Sequence, residues 1–599
     1  MENSESAELM VKGAGELIEN VYNLKGNLVG ARKAVDTTAN DVHFGDTNKD
    51  GQYVSGDADE NPHTDNLWTF HSFCSAHLEE KEQWDTGIGL KDDIFLTVEE
   101  WTSVDTSRVE AKGFVGLTPH AIDMSTKTSY AVGSMGAGGF EKIVEVNCGH
   151  VNYVCFAISG YNGNFGGKTE QLNRKKAQSS NNKRDDNTDF VYPQNIVPAR
   201  LYVGRKGYAA DCTADTTNDF LARNGLACGR VYGFAVPSAT TDRDAWHKGN
   251  FRDGTDDTVT GYFARTQWKW DGTVKNFDDD QAWDFQNPPK KDTDASAASD
   301  SHKFWTAKGR DAAGAKTEHV SPDPRGGSRY IQGSTAGYMG IYDFTGITAT
   351  LNGIPASNTG ESTFPASIAA TYTIVEGESK ISDRIDLRCK GKRADGNDQT
   401  MMMDSSADKD TFEDIDGLEW IAAADNKDYI VIQEDGGNKF GERMFLAEIP
   451  AAGVKPTYKF IAQAGGSENT RTKAGASVPA GTATAASARA SEFSGVADLS
   501  GILKEGTATG GAARRAAEAT VSIEDKYIAV GLQHHAANGG VIEKFNLDRG
   551  GQVYIYKPDN ILNAEEAVCP TATTTTVSPA AKIETTFAVL VAAVFAFLA

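Results

Sequence analysis

Short apolar runs rich in β-branched and aromatic residues recur along about 500 residues of this chain, separated by glycine-rich turns. The runs at 140–146, 153–159, 199–203, 230–236, 337–344, 527–532 and 552–556 each read as a strand. Glycine is abundant, at 61 residues, and marks the turns between them. Helical periodicity is scarce, and 7–18 is the stretch that predicts a helix. Strands spread so far do not fit one sandwich. A β-propeller accommodates them, because blades set around a channel leave only short, protected edges. The expected fold is therefore all-β, a β-propeller with long loop insertions, although no clean fixed-period repeat accompanies it. The expected domain plan is an N-terminal segment at 1–27, a propeller over 28–560, a spacer at 561–586 and an apolar tail at 587–599. The pair of strands within 527–556 is expected to complete a blade begun near the N-terminus. Segments 162–187 and 287–302 read as polar loops. Segment 464–520, dominated by Ala, Gly, Ser and Thr, reads as a mobile excursion.

Apolar residues make up 39% of the chain and aromatic residues 9%, enough for a substantial core. The formal net charge of -24 argues against a nucleic-acid partner, since phosphate backbones call for a basic surface. It fits calcium binding or a secreted protein soluble in salt; an acidic, solvated surface is the plainer reading. Of the seven cysteines, Cys212 and Cys228 flank a polar loop suited to a disulfide, and Cys148 with Cys155 offers a second. The absence of any Cys-x-x-Cys pair speaks against structural zinc, and Cys74 is the candidate for the leftover thiol.

The C-terminus carries a targeting pattern. A Thr/Ser/Pro/Ala-rich stretch at 570–586 precedes an uncharged apolar tail of about 13 residues, short for a membrane span. Small residues, a polar spacer and a short apolar tail match a GPI-anchor signal, with a short tail anchor as the alternative. Either reading places the chain at a membrane through its C-terminus, at the cell surface or outside the cell. No N-terminal signal peptide is visible, because the chain opens on acidic, polar residues.

The chemistry concentrates at strand ends. The run 429–432 stops abruptly at Gln433, Glu434 and Asp435 before Gly436, Gly437 and Asn438. The run 94–98 stops at Glu99 and Glu100 in the same way. Carboxylates at the mouth of a buried strand are costly unless a cation or donor meets them. Two such tips therefore point to one shared metal site. Successive side chains on a strand point to opposite faces, so only one carboxylate of each pair faces that site unless the strand bulges. Asp46, Asn48 and Asp50 followed by Gly51 open like a calcium loop, with Asp57 at its twelfth position. A polar turn without metal is the other reading of that segment. Further short motifs surround Cys74, Glu141 after Phe140, and Glu318 with His319. His319, His534 and His535 read as packing or surface histidines without a role.

Taken in order, Cys74, the tip Glu99-Glu100, the aromatic-Glu pair Phe140-Glu141, Glu318 and the tip Gln433-Glu434-Asp435-Gly436-Gly437-Asn438 resemble the PhoX-type alkaline phosphatase family of calcium-dependent β-propeller enzymes. The resemblance spans about 28–449. It implies an iron and calcium cluster in the propeller channel that hydrolyses phosphate monoesters. On that resemblance Cys74 would ligate iron as a thiolate. Glu99 or Glu100, Glu318 and Glu434 would supply carboxylates to iron and calcium, with Asp435 beside Glu434. This sequence departs from the pattern at Glu318, which no proline precedes, at Gly333-Ser334-Thr335-Ala336, where relatives usually supply a further acidic ligand, and at Ser159-Gly160-Tyr161, which stands in place of an acidic pair. Two other readings stay open. One is a non-catalytic, calcium-stabilised cell-surface propeller for binding or wall structure. The other is a propeller hydrolase of another kind, such as a lactonase or phytase.

Overall fold

The computed structural model describes residues 18–22, 28–33, 37–39, 73–99, 119–136, 140–160, 199–237, 258–266, 302–304, 317–334, 339–376, 385–386, 389–392, 398–400, 415–434, 442–450, 456–464, 491–504, 511–535, 549–558 and 567–568. The helix expected at 7–18 and the C-terminal spacer and tail lie outside these residues, apart from Ile18 and Ala567–Val568. The architecture is all-β, built from antiparallel meanders. Strands β1 (Ile18–Tyr22) and β2 (Leu28–Lys33) form a separate hairpin. Blade one holds β3 (Thr37–Ala39), β4 (Phe73–Glu79), β5 (Ile94–Glu99), β6 (His120–Asp123) and β7 (Thr128–Ala131), in the order β3-β7-β6-β5-β4.

Blade two is the meander β8 (Ile143–Val146), β9 (Tyr153–Ile158), β10 (Arg200–Arg205) and β11 (Gly229–Pro237). Strand β12 (Thr258–Arg265) then joins β11 to the outer strand of blade three, and β13 (His302–Phe304) pairs with β11. Blade three is β14 (Thr317–Pro322), β15 (Arg329–Ser334), β16 (Met339–Asp343) and β17 (Ser367–Glu376). This combined sheet curls until its ends meet, where the Gly160 N–H donates to the Thr317 carbonyl at 2.9 Å. Short strands β18 (Ile385–Asp386), β19 (Cys389–Lys392) and β20 (Asp398–Thr400) follow. Blade four is β21 (Ile415–Ala422), β22 (Asp428–Glu434), β23 (Glu442–Glu448) and β24 (Tyr458–Ala464). Blade five is β25 (Ser491–Asp498), β26 (Ile528–His535) and β27 (Arg549–Tyr556), and β28 (Ala567–Val568) pairs with β19.

In all five meanders the first strand is the end strand of its sheet. Strands β4, β8, β14, β21 and β25 touch in succession without pairing as a sheet. The blades thus stand face to face around an axis lined by first strands, as in a propeller. The apolar clusters are the layers between successive blades. On β22, Ile430 and Ile432 pack toward blade three with Leu418, Trp420 and Ile331, whereas Tyr429 and Val431 pack toward blade five with Phe493, Ile528 and Val530. A strand buried on both faces has no polar positions to alternate with, which is why 429–432 reads as a continuous apolar run. Strand β9 repeats this: Tyr153, Cys155 and Ala157 face one cluster, and Val154, Phe156 and Ile158 the other. Both expected disulfides form within blade two, Cys148–Cys155 and Cys212–Cys228, with Cα separations of 5.8 and 5.1 Å.

Two expectations change. Among the described residues, β26 pairs with β25 and β27 with β26, and none of the three pairs with an N-terminal strand. That strand lies inside 464–520, the segment read as an excursion, and the helix Gly511–Glu518 lies there too. Composition misled here: the small residues that dominate 464–520 surround a strand carrying Phe493 and Val496. The contact between blades four and five depends on such a small residue. The Gln433 side chain reaches across β21 to β25, accepting from Gly495 N–H and donating to its carbonyl, each at 3.2 Å. A Cβ on Gly417 would lie 1.9 Å from Gln433 Oε1. Gly417→Ala is therefore expected to eject that amide and unpair Gly495, at a cost of about 2–5 kcal/mol read from the shift of the chemical denaturation midpoint.

Candidate functional site

A register irregularity near the start of the first strand recurs in blades one, three, four and five. The shift falls between Phe73 and Ser75 in β4, Thr317 and Val320 in β14, Ile415 and Leu418 in β21, and Phe493 and Gly495 in β25. A bulge re-aims side chains that regular alternation would send into the layers between blades. The residues inside these bulges include Cys74, Glu318 with His319, and Asp416 with Gly417. Opposite the start of each first strand stands the end of the second strand: Glu99 faces Phe73, Ser334 faces Thr317, Glu434 faces Ile415 and His534 faces Ser491. The acidic tips legible in the sequence, Glu99 and Glu434, thus occupy equivalent places in blades one and four, at one end of the axis.

At that end three buried side chains converge. Glu141 precedes β8, His319 lies in the β14 bulge and Asp416 in the β21 bulge. One ligand atom from each lies within 4.8 Å of the others. His319 Nε2 is 3.9 Å from Asp416 Oδ1. An imidazole with two carboxylates suits a first-row transition ion such as iron, while calcium takes oxygen ligands alone. Of the residues put forward from sequence, Glu318 is buried beside His319 at 3% exposure but is not one of the three. Glu434, fully buried, receives a two-pronged ion pair from Arg443, with Nε at 2.5 Å and Nη2 at 2.6 Å from its oxygens. That guanidinium meets the charge that sequence reasoning assigned to a metal. Cys74 and Glu99 are placed by their backbone only. Glu100, Asp435 and the loop of Asp46, Asn48, Asp50 and Asp57 lie outside the described residues. Sequence reading singled out Glu141 as part of a motif, gave His319 no role and passed over Asp416; the Asp-Gly pair at the start of the alternating stretch 415–420 was the available signal for Asp416.

Further along the axis, first strands exchange buried polar groups. The Glu145 N–H donates to Glu79 Oε1 at 2.5 Å, and Gln83 Nε2 donates to Glu79 Oε2 at 2.6 Å and Glu145 Oε2 at 2.9 Å. Burial raises both acids, Glu79 to about 7 and Glu145 to about 8, the latter pushed further by the Glu79 charge. Lys142 is buried, which lowers its ammonium, while Glu419, Glu79 and Asp416 act to hold it charged. Between blades three and four, Ser321 Oγ accepts from the Trp420 N–H at 2.9 Å and donates to Glu419 Oε2 at 3.3 Å. The ring closes through the helix Gly511–Glu518: Arg514 Nε donates to Glu80 at 2.7 Å, and Arg515 donates to Gln83 Oε1 at 2.9 Å while lying 4.2 Å above the Trp84 ring. His77, beside Glu79 on β4, is held well below its ordinary value by burial, then by Lys142, Arg515 and Arg514.

No family model matches this chain, and neither a curated protein nor a solved structure matches it. Among the described residues no helix is long and apolar enough to cross a membrane.

The Glu79–Glu145 pair makes stability depend on pH. Folded, these acids keep protons that the unfolded chain releases above about 4.5. The unfolding free energy should therefore fall as pH rises from about 4.5 toward the folded values of about 7 and 8, then level off. The slope approaches about 1.4 kcal/mol per pH unit for each retained proton. Glu145→Gln, which mimics the protonated acid, should flatten the profile and raise the melting temperature on its alkaline side, as differential scanning calorimetry across pH would record.

Proposed function

We propose that the chain is a metal-dependent phosphomonoesterase of the cell surface or extracellular space, with its centre at the first-strand end of the propeller axis. The observation that carries this reading is the convergence of Glu141, His319 and Asp416 from three successive blades within 4.8 Å of one another. These three side chains would hold the ion. Iron fits their donor set, and calcium would rest on oxygen ligands such as the loop opened by Asp46, Asn48 and Asp50. When bound, such ions supply Lewis-acid polarisation and charge neutralisation to a phosphoryl group.

The chain's own contribution is charge and exclusion of water. Lys142 follows Glu141 directly and is buried within electrostatic reach of Glu419, Glu79 and Asp416, and its ammonium, when charged, would attract an anionic substrate. The layers around the axis keep the local dielectric low, which strengthens that attraction. The phosphomonoester specificity rests on the resemblance in motif order. Two disulfides support an oxidising compartment, and the C-terminal spacer and apolar tail support anchoring there.

One observation favours a second reading, a calcium-stabilised propeller used for binding. Glu434 already has a guanidinium partner, so that tip is satisfied without an ion. A single experiment separates the two. Purified protein is expected to release phosphate from an aryl phosphate, to lose that activity on chelation, and to lose more than about 100-fold in His319→Ala. Release that survives both chelation and His319→Ala contradicts the metal-centre assignment, and bound calcium with no hydrolysis of any ester selects the binding propeller.

A further inference from the structure

The opposite end of the propeller carries a feature that a chain of net charge -24 does not lead one to expect. A cleft of about 590 Å³ opens there, lined by Gly87, Lys91, Asp92, Val151, Asn152, Lys206 and Arg223 among others. Its walls are the β4–β5, β8–β9 and β10–β11 turns, all at the end away from the starts of the first strands. Three cations face one carboxylate. Arg223 Nε is 2.7 Å from Asp92 Oδ2, and Lys91 Nζ is 3.4 Å from Glu82 outside the lining. Lys206 differs from both. Its side chain is sunk into the wall, and its ammonium donates to the carbonyls of Gly87 at 3.0 Å and Gly89 at 2.7 Å. Among the described residues it makes no ion pair with a carboxylate. An ammonium has three donors, so one remains beyond the two carbonyl bonds. Burial, and next the charge of Lys91, bring its proton affinity down to about 8, which places the two cations near each other.

We propose that this cleft binds a phosphate group, free or as a small monoester, at a site separate from the axis. The lining carries two more positive than negative charges, which matches a phosphate dianion and leaves a single carboxylate under-compensated. Walls of low dielectric in an otherwise acidic surface focus that field. Gly87, at φ +78, lets the turn backbone come close to the ligand, and Asn152 adds an exposed amide. Val151, 53% exposed at the lip, offers apolar contact to the organic part of an ester. This inference does not depend on the phosphatase reading.

The test is calorimetric titration of the full chain, in chelator, with inorganic phosphate and separately with ethyl phosphate. Acetylation of Lys91 with and without ligand is then read by mass spectrometry. Saturable binding, protection of Lys91 and a roughly tenfold or greater loss of affinity in Lys91→Glu are expected. Tighter binding of ethyl phosphate selects a monoester, and equal binding selects free phosphate. Lys206→Met should abolish binding. Should that variant fail to fold, Lys91→Glu, a change at a half-exposed surface side chain, still decides. Absence of saturable binding, or affinity unchanged in Lys91→Glu, overturns the proposal, whatever the phosphatase assay gives.

Discussion

Five sheet edges meet at the axis, and the rest of the molecule depends on how those edges are satisfied. An end strand carries backbone donors and acceptors that no sixth strand pairs, and leaving them buried without partners costs free energy comparable to lost hydrogen bonds. Neighbouring first strands touch but do not pair with one another. Side chains therefore make the links: Glu79 to the Glu145 N–H, Ser321 to the Trp420 N–H, and Gln433 to both backbone groups of Gly495. Each link joins two blades. The polar axis is thus a device for holding blades together before it is a site for chemistry.

That device accounts for the charges found there. Carboxylates are good acceptors for buried N–H groups, and they accumulate where edges need acceptors. Glu79, Glu145 and Glu419 then require protons or cations, which burial and Lys142 with Arg515 provide. The same logic at the far end of the first strands yields Glu141, His319 and Asp416. There the bulges in β14 and β21 turn side chains toward the axis instead of into the apolar layers.

Much of this was legible in the sequence, for identifiable reasons. The apolar runs at 153–158 and 429–432 lie between two apolar layers, so every residue had to be apolar and the strands announced themselves. The cysteine pairs flank local turns, where short separation makes pairing readable. The tips Glu99 and Glu434 stood out because a buried strand ends on a charge. His319 and Asp416 did not, since their convergence comes from register shifts that leave no local mark in composition. Arg443 was close in sequence to Glu434, yet the antiparallel pairing of β22 with β23 is what brings it onto that carboxylate. Residues 491–498 and 511–518 were hidden by the Ala, Gly and Ser that dominate the segment around them.

The convergence of Glu141, His319 and Asp416 is tested most directly by an anomalous difference map from crystals soaked in manganese. The expected result is a single strong peak bounded by these three side chains at the first-strand end of the axis. A map with no peak there, and with the three side chains on separate faces of the molecule, would contradict it.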